Sequence, residues 1–547
     1  MWLKLQYGTL GIGRLNIIPK RPGAVVRFWV AVFFCLVLSL NFIACGKKEP
    51  EKSPGFSYKE NILRIDIQMP LGRLHPFGDR TGGYSPILPF LYSYLFVPDA
   101  SGALGPDIAT TWSYDRPNKT WTIQLRQDAR FHDQAPVTAA DVKHTLEVGL
   151  PMVRPFFMET IREIAAPDPF VLKIRLNEDD PTFLSKIWDV EVVSHKHPNP
   201  GRDQAPVGSG PFKIIARFGQ QKIVLEANPD YHGGQPKIDR IEVYYQPDKE
   251  KSWARLLAGD TDIAQELTPK NYEMIRNQAG RFYFDRYTLH FYTILLYNTT
   301  HPLFDDSRVR RALAYAIDRQ YIVDHILNGY GKVAVGPLGV DNADHDPQLK
   351  PLAYDPQKAL RLLGEAGWVH AAESGLLQKD GRKFEFSIFV LAESQIEKEV
   401  ARYIQLSFNE IGIRVHTKAL PTQQYVSRFV QKTNYEAVLT EASWSARLPQ
   451  ILRYVWSSRS SQPAAAGGVD FPQVSRIIEK ALNVQNASRQ KMYLRRFEAL
   501  LTDLQPGTFL FHKTALNVMS KRFQLSGPFQ LTYEGFYRLK DARLSDQ

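Results

Sequence analysis

The chain has 547 residues, a net charge of +11, 44% hydrophobic and 23% charged residues, and only two cysteines. That length gives room for two or three domains with sizeable cores, and the composition excludes a low-complexity, collagen-like or disulfide-stapled chain. The basic residues form no long block, which argues against a nucleic-acid partner.

Before residue 45 the chain carries Lys4, Arg14, Lys20, Arg21 and Arg27 and no acid, so five of the positive charges sit there and +6 remains for the rest. Phe28 to Ala44 is a run of seventeen uncharged residues, followed by Cys45 and then Lys47, Lys48 and Glu49. This is the charged, apolar, small-residue layout of a secretory signal over 1–44, and the run is at the short limit for a spanning helix. Cys45 between Ala44 and Gly46 resembles the lipobox of a bacterial lipoprotein, with Phe42 where Leu is usual. The resemblance implies that Cys45 is acylated and becomes the N-terminus. An uncleaved anchor is the alternative. Val25 or Val26, read from a GTG codon, would start a conventional short signal. Cys35 would leave with that signal, and residues 45–58, rich in Lys, Glu and Pro, read as a tether.

In the rest of the chain strand and helix patterns alternate. "NILRIDIQM" sets Ile62, Arg64 and Asp66 against Leu63, Ile65 and Ile67, a strand period. "KTWTIQLR" puts Trp121, Ile123 and Leu125 on one face, and "PFVLKIRL" does the same with Phe170, Leu172, Ile174 and Leu176. "FKIIARFGQQKIVLEAN" predicts two strands around a turn at Gly219. "IDRIEVYYQ", "FEFSIFVLA" and "IGIRVHTKA" predict three more. Thr138 and Asp141 make a capping-box pattern ahead of a helix. Asp306 or Ser307 can cap a helix whose stripe is Val309, Leu313 and Ile317. Asp355, Pro356 and Gly367 mark the start and end of another. The runs 398–410, 473–484 and 487–503 are amphipathic. The class is mixed α/β in more than one domain, with no solenoid period.

No metalloprotease, hydrolase-elbow, P-loop or dinucleotide motif occurs, so the chain carries no catalytic set, cofactor site or metal centre that spacing reveals. His195 and His197 could share a metal, but two histidines in a polar, Pro-rich loop read better as a solvated turn. "GSGP" (208–211) reads as a tight turn before a strand.

Several stretches, in order, resemble the family 5 extracytoplasmic solute-binding proteins of oligopeptide, dipeptide and nickel ABC importers. They are Leu104 to Glu147, with a short helix ending in Trp112, a strand ending "LR", "FHD" and "TAADV"; "PVGSGPFKI" (206–214); "ANPDYHGGQPKIDRIEV" (227–243); "LLAGDTDIA" (256–264); "YNTTHPLFDDSRVRRALAYAIDRQYIV" (297–323); "YDPQKALRLLGEAGW"; and "DLQPGTFLFHKT" (503–514). The resemblance implies an α/β, periplasmic-binding-protein-like two-lobed clamshell with an additional inserted domain. Lobe I would be 56–103, 205–297 and 515–547, the inserted domain 104–204 and lobe II 298–514, with crossings near Tyr297 and His512 to Thr514. It implies a lipid-anchored monomer outside the cytoplasm that does no chemistry. Such a protein would capture a peptide or other small molecule by closure and deliver it to ABC permease subunits.

In peptide-binding members an Asp in the loop W-x-A-D-Y pairs with the peptide ammonium. Here the loop is "ASWSARLPQIL", with Trp444 in place and Arg447 where Asp is expected. Arg447 would favour a carboxylate or phosphate. Glu441, three residues before Trp444, restores a negative charge. Either Arg447 grips an anionic ligand group while Glu441 takes a cation, or the two pair with each other. His75 stands where an acid often precedes Pro. Tyr425 and Arg428 lie in a segment that borders the pocket in relatives. The candidate ligand set is therefore Trp444, Arg447, Glu441, His75, Tyr425 and Arg428, and a partly anionic solute (metal chelate, opine or sugar conjugate) is the alternative to a peptide.

Overall fold

The computed structural model describes residues 60–68, 71, 74–77, 86–98, 104–153, 160–188, 190–197, 206–431, 435–443, 452, 455–456, 471–484, 486–525, 529 and 538–545. The chain divides into Met1–Glu60 and Asn61–Gln547, and the fold is that of the second unit. Cys45 lies outside the described residues.

Two long strands, Phe282–Tyr297 and Gly507–Ser520, run antiparallel at the centre of an eleven-stranded sheet. On one side the sheet continues through Ile263–Ala264, Ile62–Ile67, Arg240–Tyr245, Lys222–Ala227 and Phe212–Phe218. On the other it continues through Ala437–Ser443, Glu385–Leu391 and Arg414–Leu420, while Gly331–Val333 adds to Gly507–Ser520. The two sides have separate cores. Leu63, Ile65, Phe90, Phe212 and Val243 pack together on the first. On the second, helices cover both faces: Val309, Leu313, Leu363 and Ile404 fill one layer, and Val474, Ile478 and Phe497 fill the other with Phe389 and Phe509.

A four-stranded antiparallel sheet, Ala109–Asp115, Thr120–Leu125, Val171–Leu176 and Ile161–Asp168 in that spatial order, closes around its own core of Trp121, Ile123, Val142, Leu172 and Ile174. Thr120–Leu125 and Val171–Leu176 bury alternate residues, as their patterns predict. Trp112 sits inside the strand Ala109–Asp115 rather than at the end of a short helix, which corrects the expectation. The strand pairs along Thr120–Leu125, and Trp112 meets Phe96 edge-on at 4.8 Å, a cross-element contact that no local signal encodes.

The local capping signals set the helices. Asp141 accepts from the Thr138 N–H at 2.8 Å and starts Ala139–His144. Asp306 starts Ser307–Tyr315, and Asp355 with Pro356 starts Pro356–Glu365, which Gly367 terminates at φ 91°. The stripe Val309–Leu313–Ile317 is interrupted after Tyr315, because Asp318 opens a new turn as N-cap of Arg319–Tyr321. Ile62–Ile67 also departs from simple alternation, since Arg64 and Asp66 are buried along with Leu63, Ile65 and Ile67. The strand is interior to the sheet, and its charges are matched: Asp66 pairs with Arg255 at 3.1 Å and Arg64 with Glu242 at 3.4 Å.

Candidate functional site

The strands Glu385–Leu391, Arg414–Leu420 and Ala437–Ser443 form a parallel trio with Glu385–Leu391 in the middle, so their carboxyl ends reach one edge together. Ligand sites of open α/β sheets lie outside the carboxyl ends of strands. Each strand here delivers polar groups to that edge. After Leu391 comes Ser394, whose hydroxyl accepts from the Glu397 N–H and caps the helix Gln395–Glu410. After Leu420 comes the helix Thr422–Val426, which carries Tyr425 and leads to Arg428. Glu441 sits near the end of the third strand, opposite Thr293.

Glu441 forms an ion pair with Lys513 of the long strand Gly507–Ser520. Side chains of both are about one-third exposed (27% for Lys513, 33% for Glu441), so each is reachable from solvent. Glu397 lies close enough for both charges to act on it. Burial pushes its carboxyl up to about 7, helped by Glu441, while the Leu391 N–H that donates to it at 2.8 Å and the Lys513 ammonium pull the other way. The Tyr425 hydroxyl donates to the Leu439 carbonyl at 2.9 Å, and burial pushes its ionisation up, with Glu397 and Glu441 adding to the effect. The Arg428 guanidinium stacks on the Phe389 ring at 4.4 Å, a cation–π contact that keeps its charge at the surface of the same strand trio. Phe291, 47% exposed, lies opposite Ser443 at this edge.

Three of the candidate residues, Tyr425, Arg428 and Glu441, therefore gather around the same strand ends. His75 is placed in the first half of the molecule: it is buried, its Nδ1 accepts the Phe77 N–H at 3.2 Å, and the two rings meet edge-on. Trp444 and Arg447 lie outside the described residues. The carboxylate of Glu441 is held by Lys513, a partner that neither reading of the Glu441–Arg447 pair includes. Sequence reasoning also missed Glu397, although "SQIE" (394–397) is a capping pattern. Nothing in local periodicity separates Lys513 from other residues of its strand.

His195 and His197 turn to different aspartates, Nδ1 to Asp141 at 2.7 Å and Nε2 to Asp133 at 3.2 Å. Among the described residues no group of three or more His, Cys, Asp or Glu side chains is arranged to hold a metal ion. "GSGP" forms a backbone junction. Gly210 donates to the Leu91 carbonyl at 2.9 Å, and His132 donates to the Gly208 carbonyl at 2.7 Å.

Residues 103–466 match the family described as bacterial extracellular solute-binding proteins, family 5 Middle. Oligopeptide-binding protein AppA of Bacillus subtilis (strain 168) is 25% identical over 464 residues, covering 77% of this chain and 80% of its own length. NikZ from Campylobacter jejuni in complex with Ni(L-His) superposes with a TM-score of 0.76 at 23% identity, over 88% of this chain and 99% of that one. AppA from Bacillus subtilis in complex with a nonapeptide gives 0.75 at 22% identity, over 89% and 99%.

Proposed function

Because the chain belongs to the family 5 bacterial extracellular solute-binding proteins, which serve ABC importers, we propose that it captures a peptide or peptide-like solute by lobe closure and hands it to a permease. The observation that carries this reading is the convergence of three strand ends on one edge, where Glu441, Lys513, Glu397 and Tyr425 meet beside the two long strands. The lobes are 56–103 with 205–297 and 515–547, and 298–514, with 104–204 inserted. They close about Phe282–Tyr297 and Gly507–Ser520. Ligand is held by Glu441, Tyr425, Arg428, Trp444 and Arg447 on lobe II and by the segment around His75 on lobe I. An acylated Cys45 tethers the monomer to the extracytoplasmic face of the membrane and keeps it near its transporter.

A second reading is favoured by one specific observation. Glu441 is already neutralised by Lys513. With Arg447 in the loop where the resemblance leads to an acid, the net charge offered to a ligand shifts positive. A partly anionic solute such as a metal chelate, opine or sugar conjugate then fits better than a free-amine peptide, and NikZ, crystallised with Ni(L-His), shares the fold. Mass spectrometry of solute co-purified with the full chain decides between them. A peptide ladder supports the first reading and a chelate or conjugate the second; recovery of neither, together with an unchanged scattering radius on adding a nonapeptide library or Ni(L-His), sinks both. Tethering is tested separately by the mass of the N-terminal fragment, which is expected to be a diacylated or triacylated peptide beginning at Cys45.

A further inference from the structure

The two long strands are not evenly zipped. Phe282 to Thr288 pairs with Ser520 to Thr514, and Tyr292 pairs with His512, but between these points Leu289, His290 and Phe291 face Lys513 alone. A stretch with surplus residues leaves ladder groups unpaired and lets the strand bend. This surplus, followed by a second register shift between Thr293 and Ile294, falls within the strand pair that joins the two halves of the sheet.

His512 spans that point. It is fully buried, and its Nδ1 lies 3.2 Å from the Phe291 carbonyl oxygen, inside the surplus stretch. A carbonyl only accepts, so Nδ1 carries the proton and donates. Nε2 is then the unprotonated nitrogen; it is buried and makes no hydrogen bond among the described residues. The ring meets Tyr292 edge-on at 6.2 Å. On the other flank the backbone of His512 is paired with Lys332 of Gly331–Val333. The residue is thus fixed by a ladder on both sides, and its side chain supplies a tie where the long ladder has none. Burial also holds the ring neutral, with its ionisation lowered to about 4 against the pull of Asp341 and with the push of His345 and Lys332, so the tautomer persists at neutral pH.

We infer that His512 is a positioning residue for lobe closure, its Nδ1–H bond to Phe291 substituting for the missing ladder bond at the crossing of the two strands. The inference rests on the reading that the lobes close about these strands. A residue that merely filled space would be replaceable by any side chain of similar volume. The bridge instead requires a donor at the position of Nδ1, which the Asn amide can reach and the longer Gln amide places near Nε2.

The test is amide hydrogen exchange on the ligand-free full chain, with scattering as the closure readout. In His512→Gln and His512→Leu, amides from Leu289 to Tyr292 and that of Lys513 are expected to exchange about threefold to tenfold faster than in the wild type, while His512→Asn stays at the wild-type rate. The concentration of Ni(L-His) or nonapeptide library needed for contraction is expected to rise by a similar factor in the Gln variant and not in the Asn variant. Equal behaviour of Asn and Gln, or a wild-type rate in Gln, overturns the inference. If the wild type does not contract with either probe, the closure reading fails, and the exchange comparison alone decides whether the bridge holds the strands. Should neither Gln nor Leu fold, the wild type still decides: a Tyr292 amide exchanging as fast as exposed loop amides overturns the bridge.

Discussion

Lys513 and Glu441 meet across an intervening strand, since Phe282–Tyr297 lies between the strands that carry them, and they do so where that strand bulges. Both are partly exposed, so their mutual attraction is screened by water and is worth at most about 1 kcal/mol to the fold. A double-mutant cycle with Glu441→Gln and Lys513→Met is expected to give a stability coupling below that value by urea melts. The same single changes are expected to alter affinity for the co-purified solute by about tenfold or more, because a ligand group entering this edge meets a charge that has lost its counterpart. A coupling of several kcal/mol with unchanged affinity would make the pair a structural strut.

Glu397 gives the site a pH dependence of definite sign. Its carboxyl is raised from 4.5 to about 7, chiefly by burial, so the folded chain binds its proton more tightly than the unfolded chain does. The stability it withholds is absent below pH 4.5, grows as pH rises to 7 and is constant above that. Replacement by Gln keeps an acceptor for the Leu391 N–H and removes the charge. Glu397→Gln is therefore expected to be more stable than the wild type at pH 8, by on the order of 3 kcal/mol at most, and no more stable at pH 4. His132, lowered to about 4 mainly by burial, acts oppositely: its contribution is full above pH 6.5 and is lost as pH falls toward 4.

How much of this was legible in sequence follows from where each signal is written. A strand with one wet face announces itself, and Val171–Leu176 alternates as "PFVLKIRL" reads. Caps are equally local, and Asp355 with Pro356 starts its helix where both residues stand. The charged residues Arg64 and Asp66 look solvent-facing by alternation, yet they are buried because Glu242 and Arg255 neutralise them. Trp112 is strand rather than helix end because Thr120–Leu125 lies alongside it. The site shows the same division. Tyr425, Arg428 and Glu441 were within reach through the resemblance, whereas Glu397 and Lys513 join them only because the strand trio and the long strand are brought together by the fold.

The glycines of "GSGP" offer a steric test against a conformational one. A Cβ on Gly208 would stand 1.8 Å from the Leu91 carbonyl oxygen, a contact that only backbone movement can relieve. Gly219, by contrast, has φ +57° with open space around it, so only the left-handed backbone opposes a side chain there. Gly208→Ala is expected to cost about 3 kcal/mol or to prevent folding, and Gly219→Ala about 1 kcal/mol. Urea melts of the two variants check the order; equal costs would mean that residues 206–211 can shift away from Leu91 without loss.

Among the described residues, Arg310 is the largest fully buried side chain and forms no ion pair with a carboxylate. Its guanidinium donates to carbonyls instead: Phe304 at 2.6 Å, Asp305 at 3.0 Å, Leu504 at 3.0 Å and Gln505 at 3.0 Å. The last two close the carboxyl end of the helix Ala487–Leu504, where Gln505 takes a left-handed φ of 46°, so the cation satisfies orphan carbonyls at the negative end of the helix dipole. Burial lowers its ionisation, but guanidinium stays charged. Lysine offers three donors from one point and cannot span two carbonyl pairs. Arg310→Lys is therefore expected to lose about 2 kcal/mol and Arg310→Met about 3–5 kcal/mol, seen as a lower urea midpoint with unchanged slope. A Lys variant as stable as the wild type would show that charge at the helix end, rather than the planar fork, is what Ala487–Leu504 requires.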